Sequence, residues 1–278
     1  GITNKLLNKV SLRLIIGLSH RLKLDKQQKR LKLGFDMSTL VYVGANTGFS
    51  LYQIFDKYDQ VYAFEPDPEM FTQLKNRMGQ FEWVTLVNAA CSTEKGRTNF
   101  YVTSNRVASS LGSPSDEFVE AYKKHDSGST VIKEIEVETI NLGEFLKQEG
   151  IEFIDLYVSD CQGSDLNILK TMTDYIDGDK IGELYIETHG DNTQIYNGLD
   201  NQYTGFKNLL KGNFDFIHAT LGSYGAGNAS PERVQYDGQV VDEEYILDVS
   251  GWDVSNPEWD TYWRSKTYEP NVGQYLRS

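Results

Sequence analysis

The sequence predicts an α/β domain built on a mostly parallel β-sheet with helices on both faces. Three observations carry that expectation. Short apolar runs, TLVYVGA (39–45), VYAFEP (61–66) and VTLVNAA (84–90), are separated by segments whose apolar residues recur at helical spacing. The same alternation resumes with FIDLYVSD (153–160) and ELYIETHG (183–190). The first run also stops at a glycine-bracketed turn, Gly44-Ala45-Asn46-Thr47-Gly48, where a parallel sheet can present its backbone to a ligand. With 278 residues and 39% hydrophobic content, the chain can bury one large core or two small ones.

The elements follow in order. Residues 4–24 place Leu6, Leu7, Val10, Leu14, Ile15, Leu18 and Leu22 at helical spacing among basic residues. This predicts an amphipathic helix that either packs on the domain or lies on a membrane surface, as part of a basic appendage over 1–35. The main domain then spans 36–278. FSLYQIFDKY (49–58) reads as a helix after the first strand, and a second helix runs through Met70 to Met78. RTNFYVT (97–103) and IKEIEVETI (132–140) read as exposed strands of an inserted hairpin over about 97–140. The polar stretch between them (104–130) reads as a lid with a short helix near 115–124. Helices are expected at 142–150, from Ser164 to Tyr175 and near 203–211, and strands at 214–221 and 243–249 (EEYILDV). The aromatic tail beyond, with Trp252, Trp259, Tyr262 and Trp263, has no clear period; it is expected to close over an acceptor or to pack.

Composition excludes several classes. A net charge of −13 argues against general nucleic-acid binding, so no nucleic-acid partner is expected. The charge is uneven: residues 1–33 carry nine Lys/Arg and one acid, Asp25. Cys91 and Cys161 stand 70 positions apart in apolar contexts, with no CxxC, which excludes a disulfide framework or zinc ribbon and favours a reducing, cytoplasmic location. No run of 18 apolar residues exists to span a bilayer, which leaves peripheral contact through 4–24 as the membrane option.

In an open parallel sheet, ligands bind beyond the carboxyl ends of the strands, so the residues there carry the chemistry. Gly44 and Gly48 allow unusual backbone angles and close approach, with Ala45, Asn46 and Thr47 between them. Glu65-Pro66 ends the second strand, 21 residues after Gly44, an interval that suits a carboxylate gripping both hydroxyls of a ribose. Asn88-Ala89-Ala90 ends the third, with small residues able to flank an adenine ring. Together these features favour an adenosine-containing ligand. No Gly-Lys-Ser/Thr follows the turn, which excludes a phosphate loop, and Leu51 stands where a dinucleotide fingerprint has its third glycine. The fourth strand ends in Asp160, with Gln162 two residues on and Asp165 placed to cap the next helix. The fifth ends in Glu187 and His189, two apart and so pointing the same way. Asp160, Glu187 and His189 could share acid–base work or hold a divalent ion.

These segments resemble the FkbM-type S-adenosylmethionine-dependent methyltransferases. The matching motifs are VGANTG (43–48), AFEPDP (63–68) with Leu74 and Asn76, VNAACS (87–92) with Gly96 and Phe100, SSL (109–111), ETINLGEFL (138–146), IDLYVSDCQGSDLNIL (154–169) and LYIETH (184–189). They cover roughly residues 38–220 in family order. The resemblance implies a Rossmann-like class I methyltransferase fold, with a mostly parallel seven-stranded sheet, and methyl transfer from S-adenosylmethionine to an oxygen, often of a sugar or polyketide. It implies that Gly44, Ala45, Asn46 and Gly48 contact the methionine part of the donor, that Glu65 holds the ribose, and that Asn88 and Ala89 lie near the adenine. Asp160 and Gln162 would lie beside the sulfonium and the acceptor. Two positions depart from the family: Tyr42 replaces an Asp, and Val158-Ser159-Asp160 replaces a common Lys-Ile-Asp. The missing Lys leaves the acids at the strand ends less neutralised, a role a bound Mg²⁺ or Mn²⁺ could fill. Acids and aromatic faces favour a glycan hydroxyl as acceptor; a polyketide, lipid or other small molecule, a non-catalytic adenosine-binding protein and a dehydrogenase remain the alternatives.

Overall fold

A computed structural model describes residue 23 and residues 37–123, 130–221, 240–248 and 258–270. The predicted appendage over 1–35, including the helix at 4–24, lies outside the described residues apart from Lys23. In chain order the strands are β1 (Thr39–Val43), β2 (Gln60–Phe64), β3 (Val84–Val87), β4 (Ala90–Ser92), β5 (Gly96–Thr103), β6 (Val131–Asn141), β7 (Ile154–Ser159), β8 (Ile181–His189), β9 (Phe214–Leu221), β10 (Val240–Val241) and β11 (Glu258–Ser265). The helices are α1 (Pro68–Met78), α2 (Asp116–Lys123), α3 (Leu142–Gln148), α4 (Asp165–Lys170), α5 (Thr173–Ile176), α6 (Tyr203–Leu210) and α7 (Glu243–Asp248).

The main sheet has the order β10-β9-β11-β8-β7-β1-β2-β3. From β3 to β8 every pair is parallel, and β11 inserts antiparallel between β8 and β9. Among the described residues the sheet therefore has eight strands, one more than expected, with two-residue β10 antiparallel at its edge. The pleat divides β1 between two cores. Val41 and Val43 pack with Leu142 and Leu146 of α3, Leu166 and Leu169 of α4, and Phe206 of α6. Leu40 and Tyr42 face Leu51, Phe55, Leu74 and Met78 on the other side. Apolar burial on both faces is why these strands read as continuous hydrophobic runs, each large side chain contributing about 1.5–3 kcal/mol. A second, three-stranded sheet, β4-β6-β5, forms the inserted hairpin, with β5 and β6 antiparallel.

Four local expectations are corrected. Residues 49–58 form two 3₁₀ turns, Leu51–Gln53 and Phe55–Lys57, instead of one helix. Ser50 makes no side-chain cap, and Phe55 is held against Phe81 with ring centroids 4.6 Å apart, so tertiary packing overrides the helical period. VTLVNAA splits after Val87: the Asn88 amide donates to the carbonyls of Glu65 (2.8 Å) and Pro66 (3.2 Å), and Ala90–Ser92 crosses to pair with β6. The helix expected from Ser164 to Tyr175 breaks into α4 and α5 where the Thr171 hydroxyl donates back to Ile168 O. Glu243–Asp248 of EEYILDV form helix α7, not a strand, and the Asp242 carboxylate accepts from the Tyr245 amide to cap it.

The aromatic tail is resolved into strand. Trp259, Tyr262 and Trp263 belong to β11 and are buried in the sheet, so they do not cover an acceptor; Trp252 lies outside the described residues. Among the described residues, no helix is long and apolar enough to cross a membrane.

Candidate active site

A cavity of about 550 Å³ opens at the carboxyl ends of β1, β2, β7 and β8, where the sequence places its candidates. Its floor is the turn after β1. Gly44 has φ +79°, and a Cβ there would sit 1.9 Å from the Asp160 carbonyl oxygen, so only glycine allows the two strand ends to approach this closely. Gly48, at φ +74°, faces Leu74 in the same way, at 2.6 Å from an added Cβ. Gly48 thus seats the turn on α1, whereas Gly44, Ala45, Asn46 and Thr47 line the cavity. Asn46 adopts φ +48°, and its side-chain oxygen accepts from the Thr47 amide at 2.7 Å, which fixes the turn.

Glu65 is 5% exposed, and its carboxylate accepts from the Asn46 amide (2.8 Å) and the Asp67 amide (2.8 Å). Burial pushes its pKa up to about 7, against the two amides that favour the ionised form. Glu65 lines the cavity, and each of its oxygens, accepting one amide, has capacity for a further hydrogen bond. Pro66 and Ala89 also line the cavity. Asn88 does not; it acts behind the wall, tying β3 to the carbonyls of Glu65 and Pro66.

Over this end lies the loop after β5, with Asn105, Arg106, Val107, Ala108 and Ser109 lining the cavity. Arg106 reaches across to Asp67 (2.6 Å) and Glu69 (2.8 Å) at the start of α1. Asp67 in turn caps α1 by accepting from the Glu69 amide. One ion-pair group therefore ties the hairpin to the β2 end of the sheet. The sequence singled out this stretch as a lid but gave no role to Arg106, whose partners are nearly forty residues away.

The opposite end is acidic. The Gln162 amide nitrogen donates to both Asp160 (2.7 Å) and Glu187 (2.6 Å), and its oxygen accepts from the Tyr196 hydroxyl at 2.5 Å. Gln162 holds φ +56°, an uncommon backbone angle for a non-glycine residue, at the turn that aims it between the two acids. Burial raises the pKa of Asp160, and burial reinforced by the Asp160 charge raises that of Glu187. Asp165 serves the fold: it accepts from Ser159, from the Cys161 amide (2.9 Å) and from Asn201 (3.1 Å), holding the turn between β7 and α4. Burial lifts it to about 6.

Glu187 and His189 do come together, with Glu187 Oε2 at 4.0 Å from His189 Nε2. Their third neighbour is Glu258 rather than Asp160: one ligand atom from each of Glu187, His189 and Glu258 lies within 4.8 Å of the others. Asp160 is coupled to this group through Gln162. Burial pulls the His189 pKa down to about 3, so the imidazole is neutral and a weak proton acceptor. Glu258 was missed because its strand looked aperiodic. The signal was present: in EWDTYWRS, Glu258, Asp260 and Tyr262 alternate with Trp259, Thr261 and Trp263. Cys91 and Cys161, both free thiols, complete the wall.

The Methyltransferase FkbM domain family model matches residues 43–226. The 2-O-methyltransferase NoeI of Sinorhizobium fredii (strain NBRC 101917 / NGR234) is 26% identical over 117 residues, which cover 40% of this chain and 46% of that relative. The matched stretch is thus less than half of the curated relative's length. Among solved structures, an rRNA methylase from Streptococcus thermophilus aligns with a TM-score of 0.38 and 10% identity over 83% of this chain and 87% of its own. The N-methyltransferase NodS from Bradyrhizobium japonicum WM9, in complex with S-adenosyl-L-homocysteine, aligns with a TM-score of 0.37 and 9% identity over 87% and 86%.

Proposed function

The chain belongs to the FkbM methyltransferase family, and from that premise we propose that it transfers the methyl group of S-adenosylmethionine to a hydroxyl oxygen of a sugar or glycan. One observation carries the reading: a single cavity joins a ribose-type carboxylate, Glu65, to the acids Asp160 and Glu187. The donor's adenosine lies along Glu65 and Ala89, its methionine portion along Gly44 to Thr47, and its sulfonium points to the acidic end.

Transfer requires the acceptor oxygen to approach the methyl carbon in line with the C–S bond, so positioning supplies much of the acceleration. The oxygen lone pair forms the new O–CH₃ bond as the C–S electrons stay on sulfur, leaving neutral S-adenosylhomocysteine. The hydroxyl proton passes to the Asp160 carboxylate, which the Gln162 amide orients. Glu187, held by the same amide, fixes the acceptor by accepting from a neighbouring hydroxyl. His189 does not line the cavity, so the base role is assigned to Asp160, which does. The 2-O-methyltransferase relative and the density of acids both favour a polyhydroxylated acceptor.

Calorimetry with S-adenosylmethionine, followed by product analysis on a panel of methylatable sugars, tests the proposal. Donor binding with S-adenosylhomocysteine and an O-methyl sugar as products is the expected result. Heat from NAD and none from the methyl donor would contradict it.

A further inference from the structure

At the carboxyl end of β8 the fold gathers Glu187, His189 and Glu258 around one point, with Asp160 joined to them through Gln162. Glu187 and His189 occupy one face of β8, and Glu258 stands opposite His189 in the antiparallel β8–β11 register. Glu187 and His189 are each 3% exposed. Among the described residues, neither Glu187 Oε2 nor His189 Nε2 has a hydrogen-bond partner. A buried polar atom without a partner is costly, and here two face each other.

Protons do not resolve the arrangement. At 4.0 Å the pair is beyond hydrogen-bond distance, so a proton on either group would not satisfy the other. Asp160, Asp165 and Asp260 add to the negative field on Glu187. Among the described residues, no ion pair brings a Lys or Arg to Glu187, Asp160 or Asp165. One bound cation satisfies both atoms at once. One imidazole with two carboxylates suits a divalent transition ion better than the all-oxygen preference of Mg²⁺ or Ca²⁺.

We propose that Glu187, His189 and Glu258 bind one divalent transition-metal ion, of the Mn²⁺ or Zn²⁺ type, in the wall of the cavity. Glu187 and Glu258 line the cavity while His189 stands behind them, so the ion's remaining positions face the acceptor end. Gln162 acts from the outer shell by holding the other oxygen of Glu187. An acceptor hydroxyl on the ion would be acidified before Asp160 takes its proton. That consequence rests on the methyl-transfer reading; the binding of the ion does not.

The test is titration of chelator-treated protein with MnCl₂, with free Mn²⁺ read by electron paramagnetic resonance. One ion per chain is expected, displaced by Zn²⁺ and showing ¹⁴N modulation from a bound imidazole in the wild-type protein. Glu258→Gln and His189→Gln should each weaken binding at least tenfold, with His189→Gln also losing the nitrogen signal. Asp174→Asn, at an exposed ion pair, should bind as wild type. Circular dichroism checks the fold of each variant, and the wild-type nitrogen signal stands even if one variant unfolds. No stoichiometric binding, binding without nitrogen modulation, or unchanged binding in both folded variants would overturn the proposal. Metal binding without methyl transfer would leave the site standing and remove the reading above it, whereas transfer by metal-free protein that binds no ion would do the reverse.

Discussion

Under the proposed methyl-transfer reading, Glu65 is the residue on which donor binding turns. Its carboxyl is raised by burial to about 7, so protonation and ribose binding compete near neutrality. Ribose hydroxyls donate and need the ionised acceptor. Affinity for S-adenosylhomocysteine should therefore rise between about pH 6 and about pH 8, and Glu65→Gln should flatten that rise and weaken binding roughly tenfold. Calorimetry across the range reads both. The stability sign is opposite: a folded-state carboxyl raised above its unfolded value holds its proton longer, so its contribution is present at low pH and is lost as pH rises through about 7. Gly44 is the second decisive residue. Gly44→Ala forces a Cβ into the Asp160 carbonyl at a positive φ, and should cost about 2–4 kcal/mol in thermal unfolding and abolish donor binding. Both residues were legible in the sequence, because a glycine turn and an acid at a fixed interval are local signals. Arg106 and Glu258 were not, since their roles depend on which distant strands the topology brings together.

At the element scale, the loop after β5 and strand β11 make separable predictions. Arg106 ties the loop to α1 through Asp67 and Glu69, with its side chain 23% exposed. Partly exposed ion pairs contribute only about 0–1 kcal/mol, so Arg106→Ala should barely move the melting temperature. It should still speed S-adenosylhomocysteine release severalfold, as measured by stopped-flow, because the loop lines the Glu65 end of the cavity, where the proposal puts the donor. Trp263 is the contrary case: it is 2% exposed and packs on Tyr203 and Phe216. Trp263→Ala should destabilise the fold by about 3–5 kcal/mol in chemical denaturation. The parallel strands were readable because apolar burial on both faces leaves unbroken runs. Strand β11 escaped because alternating acids and aromatics fit a loop equally well until β8 and β9 supply its partners. The 3₁₀ turns at 51–57 escaped for a related reason: the period was helical, but Phe55 is claimed by Phe81 and Trp83.

For the whole molecule, the sheet order decides function. A crossover after β3 returns the chain to β7 beside β1, so Gly44 and Asp160, more than a hundred residues apart, meet at one edge. Antiparallel β11 beside β8 then closes the acidic end and delivers Glu258. The sequence named the part of the cavity that the strand ends carry, and it placed Asn88 and His189 less well. Their positions are right but their side chains work from behind the wall, a matter of packing that no spacing records.

The central claim is that a methyl donor and a hydroxyl acceptor meet at Asp160. It is tested most directly by following S-adenosylmethionine carrying a deuterated methyl group into product by mass spectrometry. Wild-type protein should place the label on a sugar oxygen, with one S-adenosylhomocysteine per methyl transferred. Asp160→Asn should bind S-adenosylhomocysteine with unchanged affinity yet transfer the label at least about 100-fold more slowly. Transfer by Asp160→Asn at the wild-type rate, or label found on nitrogen in place of oxygen, would contradict the claim.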